Sequence, residues 1–115
     1  MTFNPATDRV RAEPLVLIVA PTRELAAQIF DETRRLCYRT MFRPCVAYGG
    51  GPRGMQQQEL QRGCDILIAT PGRLKDFMDR PNVLSLNRVK YVLRFAFDSL
   101  SLLTEYKVYH HRRSR

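Results

Sequence analysis

The 115 residues suffice for one modest domain but not two, and a hydrophobic content of 44% allows a buried core, which excludes wholesale disorder. No apolar run approaches the roughly 18–20 residues needed to cross a bilayer, and the opening MTFNPATDRVRAEP lacks the apolar centre of a secretory signal. Three cysteines without CxxC spacing read as thiols of a reducing, intracellular protein and not as a metal site, while a formal charge of +8, most of it arginine, favours phosphate-bearing partners.

Residues 1–14, with Pro5 and Pro14 around a charged segment, read as a flexible lead-in. LVLIVA (15–20) is continuous, apolar and β-branched, the pattern of a strand covered on both faces. PTRELAAQIFDETRRLCYRT (21–40) reads as a helix, because Leu25, Ile29, Leu36 and Cys37 recur near the helical period and Pro44 lies beyond its end. RPCVAY (43–48) is a second strand, closed by Gly49, Gly50 and Gly51. RGMQQQELQR (53–62) is a polar helix stopped by Gly63. DILIA (65–69) is a third strand, PGRLKDFMDR (71–80) a third helix and RVKYVL (88–93) a fourth strand. This alternation with short joins predicts an α/β layer of parallel strands with right-handed crossovers. After Leu93 the periodicity stops, and 94–115 reads as a divergent, solvated basic tail that includes His110 and His111.

In an open parallel sheet, ligands gather beyond the carboxyl ends of the strands, where helices begin. Two such junctions share a construction: VAPTRE (19–24) and IATPGR (68–73) each place threonine, proline and arginine at a helix start. Helix N-terminal amides point outward with partial positive charge. Pro71 suits the first helical position, Gly72 lets a ligand approach the backbone, Thr70 can cap the helix or bond the ligand, and Arg73 adds a forked donor. Either junction alone would also arise from an ordinary capped helix with a surface arginine. Two at one sheet edge, with Gly49-Gly50-Gly51 as a third, make a track of donors suited to a nucleic-acid backbone.

APTRELAAQI resembles motif Ia of the DEAD-box RNA helicases, YGG their GG motif and ATPGRL their motif Ib, in matching order. RPCVAYGG, RGCDILIATPGRL and KYV resemble most the branch containing Vasa and the cytoplasmic translation-initiation helicases. The resemblance covers residues 15–93. It implies a partial, incomplete RecA-like (P-loop NTPase-type) three-layer α/β fold with a mostly parallel sheet. It also implies RNA contact, through phosphates and sugars, by Pro21, Thr22, Arg23, Gly49, Gly50, Thr70, Pro71, Gly72 and Arg73. The family uses ATP and magnesium, yet this sequence has no GxxxxGK[ST] loop, and Phe95 and Ala96 stand where the leading Asp-Glu of Asp-Glu-Ala-Asp would fall, with only Asp98 matching an acid. The expectation is therefore a fragment of the first helicase lobe. It keeps RNA-facing motifs, has no catalytic residue, cofactor or metal site of its own, and lacks the second lobe. The resemblance places it in the cytoplasm, with the nucleus as the alternative. A stand-alone basic RNA-binding module, or a truncated or frame-shifted product without function, are the competing readings.

Overall fold

The computed structural model describes residues 10–95 together with the backbone of 104–108. Its elements run β1 (Val16–Val19), α1 (Arg23–Leu36), β2 (Pro44–Ala47), α2 (Arg53–Leu60), β3 (Ile66–Ala69), α3 (Pro71–Met78), β4 (Tyr91–Phe95) and β5 (Thr104–Val108). They form one sheet of order β2-β3-β1-β4-β5. The first four strands are mutually parallel and β5 runs antiparallel to β4.

Side chains alternate across the strands, so each short apolar run feeds two cores. Leu17, Cys45, Ala47, Leu67 and Ala69 meet Leu60 of α2, Phe77 of α3 and the Val83, Leu84 and Val89 segment on one face. Ile18 and Ile68 meet Leu25 and Ala26 of α1 on the other, with Val16, Val46, Ile66, Leu93 and Phe95 half-buried around them. Among the described residues, two helices thus seal the first face and α1 covers the second.

Boundaries shift for identifiable reasons. The expected helix over 21–40 begins at Arg23, because Thr22 is its cap, and ends at Leu36. Leu36, placed on the buried face by its spacing, is 81% exposed. Beyond it the Thr40 hydroxyl donates to the Cys37 carbonyl and accepts from the Phe42 amide, which turns the chain toward β2. Arg34 and Arg35 pair with Asp31 and Glu32 along the solvent side. The same two arginines complement the helix's negative end.

The lead-in is packed over residues 10–14: Ala12 is fully buried and bridges Leu84, its amide on the Val83 carbonyl and its carbonyl receiving Ser85. Residues 1–9 lie outside the described residues. The fourth strand also runs past Leu93. Arg94 stands opposite Val19 with its side chain exposed, which keeps its charge hydrated, and Phe95 joins the α1-side core. The segment expected as an aperiodic tail contributes β5 to the outer edge of β4. Ala96, Phe97, Asp98, His110 and His111 lie outside the described residues.

Arg43 ties the polar α2 to the sheet. Its amide donates to Asp65 Oδ2, its Nε to the Gly63 carbonyl, and its Nη2 to both the Glu59 carbonyl and Oε1. The α2 C-terminus is thereby supplied with donors for its open carbonyls. Cys45 and Cys64 are buried as free thiols beside this clamp. The hydrogen bond between them, together with burial, pushes the Cys64 thiol well above its ordinary range.

Phe77 is completely buried where α3 meets the sheet. Phe77→Ala should lower unfolding stability by about 3–5 kcal/mol through lost burial and a residual cavity. Urea unfolding followed by circular dichroism measures this; a loss below about 1 kcal/mol would mean that α3 does not seal this core.

Candidate nucleic-acid interface

Because β2, β3 and β1 are adjacent and parallel, the chain leaves all three at one sheet edge. The exits are stitched together there. The Ala20 amide donates to the Ala69 carbonyl at 2.9 Å, and the Thr70 amide to the Ala47 carbonyl at 3.0 Å. The Gly49 amide donates to Thr70 Oγ1 at 3.2 Å. The structure thus brings Thr22, Arg23, Gly49, Gly50, Thr70, Pro71, Gly72 and Arg73 to one edge, with Pro21 half-buried beside them.

The two look-alike junctions differ in chemistry. Thr22 is an N-cap of ordinary type, extended at φ −131° and ψ 158°, its hydroxyl oxygen accepting from the Leu25 amide. Thr70 occupies the same position on α3 but makes no side-chain cap; its oxygen receives Gly49 instead. Pro71 stands at the start of α3, so the next amides, those of Gly72 and Arg73, open outward without a threonine cap. Gly72 is exposed, and a Cβ added there would meet nothing within 4 Å.

The arginines differ as well. Arg23 is exposed, its guanidinium carbon 5.1 Å from the centre of the Tyr48 ring and its tip beside Gly50. Arg73 is turned inward, with only 12% of its side chain exposed. Its Nη1 donates to Gln56 Oε1 at 2.9 Å and its Nη2 to the Gly51 carbonyl at 3.3 Å. Its Nε lies 3.8 Å from Asp76, and the guanidinium rests over Phe77.

Sequence reasoning missed Tyr48 and Gln56. Gln56 is buried and grips Tyr48 at two points, Oε1 accepting from its amide and Nε2 donating to its carbonyl, each at 3.2 Å. The signal available was a glutamine at the start of a polar helix directly after a glycine turn. The turn itself needs glycine at two positions. Gly50 sits at φ +82°, and a Cβ on Gly51 would fall 2.5 Å from the Tyr48 ring and 2.6 Å from the Gln56 amide.

ATP and magnesium, which the resemblance implies for the family, do not fit the residues described: the sequence has no GxxxxGK[ST] loop. Among the described residues no three His, Cys, Asp or Glu side chains come together to hold a metal. Also among them, no helix is long and apolar enough to cross a membrane.

A mostly parallel α/β sheet with helices on both faces and donor-bearing turns at its carboxyl edge is a RecA-like fragment. The profile of the DEAD/DEAH box helicase family matches residues 2–100, and the chain belongs to that family. Among solved structures it is similar to the yeast DEAD-box splicing factor Prp28, with 31% identity and a TM-score of 0.67 over 82% of this chain. The match covers 22% of the Prp28 chain, so the present sequence spans about a fifth of that relative.

The glycines separate by physical need. Gly51→Ala should destabilise the fold by about 1–3 kcal/mol, because backbone and ring must shift to admit the new Cβ. Gly49→Ala and Gly72→Ala, both in open space, should change stability by less than about 0.5 kcal/mol. Denaturation midpoints of the three variants check this; equal losses at all three would overturn the turn geometry described.

Proposed function

We propose that this chain is the RNA-facing part of a DEAD-box ATP-dependent RNA helicase lobe, and that it holds single-stranded RNA by phosphates and sugars without reading bases. The observation that supports this most is Gly72: the fold does not require a glycine there, and its bare backbone opens the start of α3 to a ligand. Arg23 supplies the exposed charge, beside the Gly50 backbone and the Tyr48 ring. Thr22 and Pro21 shape the first turn, and Thr70 and Pro71 the third. Gly49 leaves an unobstructed path between them, while Arg73 lies behind the glycine turn.

The sequence likeness of RPCVAYGG and RGCDILIATPGRL supports the Vasa-like and translation-initiation branch, and with it an intracellular, mainly cytoplasmic setting. ATP hydrolysis in this reading belongs to helicase motifs that this sequence does not contain, so the chain alone binds RNA and does not turn over nucleotide. The antiparallel β5 favours a second reading, a self-standing RNA-binding module, because it covers the β4 edge with the chain's own backbone.

Binding should be weak, tolerant of sequence and sensitive to salt. Fluorescence anisotropy with a labelled oligouridine across a salt series tests it. Arg23→Ala should flatten the log–log salt slope by about 0.7, the contribution of one single-strand phosphate. Gly72→Ala should weaken binding by about three- to tenfold while leaving stability intact, as expected for hindering one backbone hydrogen bond. If both variants bind like the parent at every salt concentration, the edge is not the RNA site.

A further inference from the structure

We infer that Gln56 and Arg73 are positioning residues that clasp the glycine turn, and that Arg73 acts on RNA through that turn and not by touching a phosphate. This rests on the RNA-binding reading above and refines the expected direct contact at Arg73. Three successive glycines have more backbone freedom than any other tripeptide, so unrestrained they would blur the path a sugar-phosphate chain must follow. The clasp holds the turn at both ends. Before the glycines, Gln56 fixes the Tyr48 amide and carbonyl together. At the third glycine, Arg73 holds the Gly51 carbonyl.

One guanidinium joins the two grips, because Arg73 also donates to the same Gln56 oxygen that receives Tyr48. That bond fixes which way round the Gln56 amide lies, since an oxygen must face both donors. Asp76 completes the clasp: it faces Arg73 Nε and is held in turn by Arg53 Nη1 at 3.0 and 3.1 Å. Between the anchored ends, Gly49 and Gly50 remain exposed. One N–H on each Arg73 Nη is thus directed at a protein acceptor, Nε faces Asp76, and the aromatic neighbour Phe77 is buried. Arg23, exposed on the other side of the turn, is the arginine left to meet phosphate.

The test compares the parent chain with Gln56→Leu, Gln56→Glu, Arg73→Ala, Arg73→Lys and the Gln56→Leu/Arg73→Ala double variant, each checked for folding by thermal melt. Two readouts are taken: oligouridine affinity across a salt series, and backbone ¹⁵N relaxation of residues 48–51 without RNA. The clasp requires Gln56→Leu, Arg73→Ala and Arg73→Lys each to weaken binding by about three- to tenfold with the salt slope unchanged. The double variant should be little worse than the worse single variant, because both act on one turn. Fast motion of the Gly49 and Gly50 amides should rise in all of them. Gln56→Glu, which keeps the acceptor toward Arg73 and the Tyr48 amide and removes only the donor to the Tyr48 carbonyl, should loosen residue 48 less than Gln56→Leu does. A salt slope flattened by about 0.7 in Arg73→Ala, with binding restored in Arg73→Lys, would instead make Arg73 a phosphate ligand. Unchanged turn relaxation would also overturn the clasp. If the parent binds no RNA, the functional reading fails by itself, and the relaxation data still decide whether the clasp holds the turn.

Discussion

The parallel pairing of three adjacent strands is the constraint from which the site follows. Val16 and Pro44 both stand opposite Ile66, and Val19 and Ala47 both opposite Ala69, so β1, β3 and β2 end level with one another. Parallel strands need crossovers, and each crossover here begins with a helix start at the same edge. Level ends on strands about 4.8 Å apart bring the three turns close enough to share hydrogen bonds. No single turn is a binding site. Their alignment makes them one surface.

The same sheet must also protect its edges, and the means at β2 are shared with the site. The carbonyls of Arg43 and Ala47 face β3, so alternation turns the backbone of Pro44, Val46 and Tyr48 outward. Pro44 has no N–H to offer, and Gln56 occupies the donor and the acceptor of Tyr48. Edge pairing by another chain is thereby discouraged at both ends of a four-residue strand. Gln56 thus does two things with one amide: it blunts an edge and anchors a turn. At the other side β5 takes up the outer face of β4. The α1 side of the sheet is the less sealed, with Val16, Val46, Ile66, Leu93 and Phe95 only half-buried.

Much of this was legible in the residues. LVLIVA and DILIA announce two-faced strands by being apolar without interruption, and the alternation of strand and helix fixes parallel pairing. Thr22, Pro71 and the glycines mark helix starts and a turn through local chemistry alone. What escaped was tertiary. Leu36 keeps helical spacing but is the last residue of α1 and is exposed, so periodicity misassigned it. Arg94 lies beyond the expected end of the fourth strand at Leu93, yet β4 runs through it to Phe95 with Arg94 exposed. Ala12 carries no pattern, and its burial depends on a bridge to Leu84, 72 positions away in the chain. The role of Gln56 depends on Tyr48 and Arg73, which only folding brings together.

The two arginines of the look-alike junctions sit differently in the fold. Both follow threonine and proline at the end of an apolar strand, so the sequence presents them as equivalents. Arg23 is the first residue of α1, whereas Arg73 is the third residue of α3, because Pro71 and Gly72 precede it inside the helix. A shift of two helical positions rotates a side chain by about 200° around the axis. On α1, over one face of the sheet, Arg23 is exposed; on α3, over the other face, Arg73 turns toward α2, where Gln56 and the Gly51 carbonyl receive it. Position in the fold, more than residue type, leaves Arg23 exposed at the edge and Arg73 bonded to its own chain.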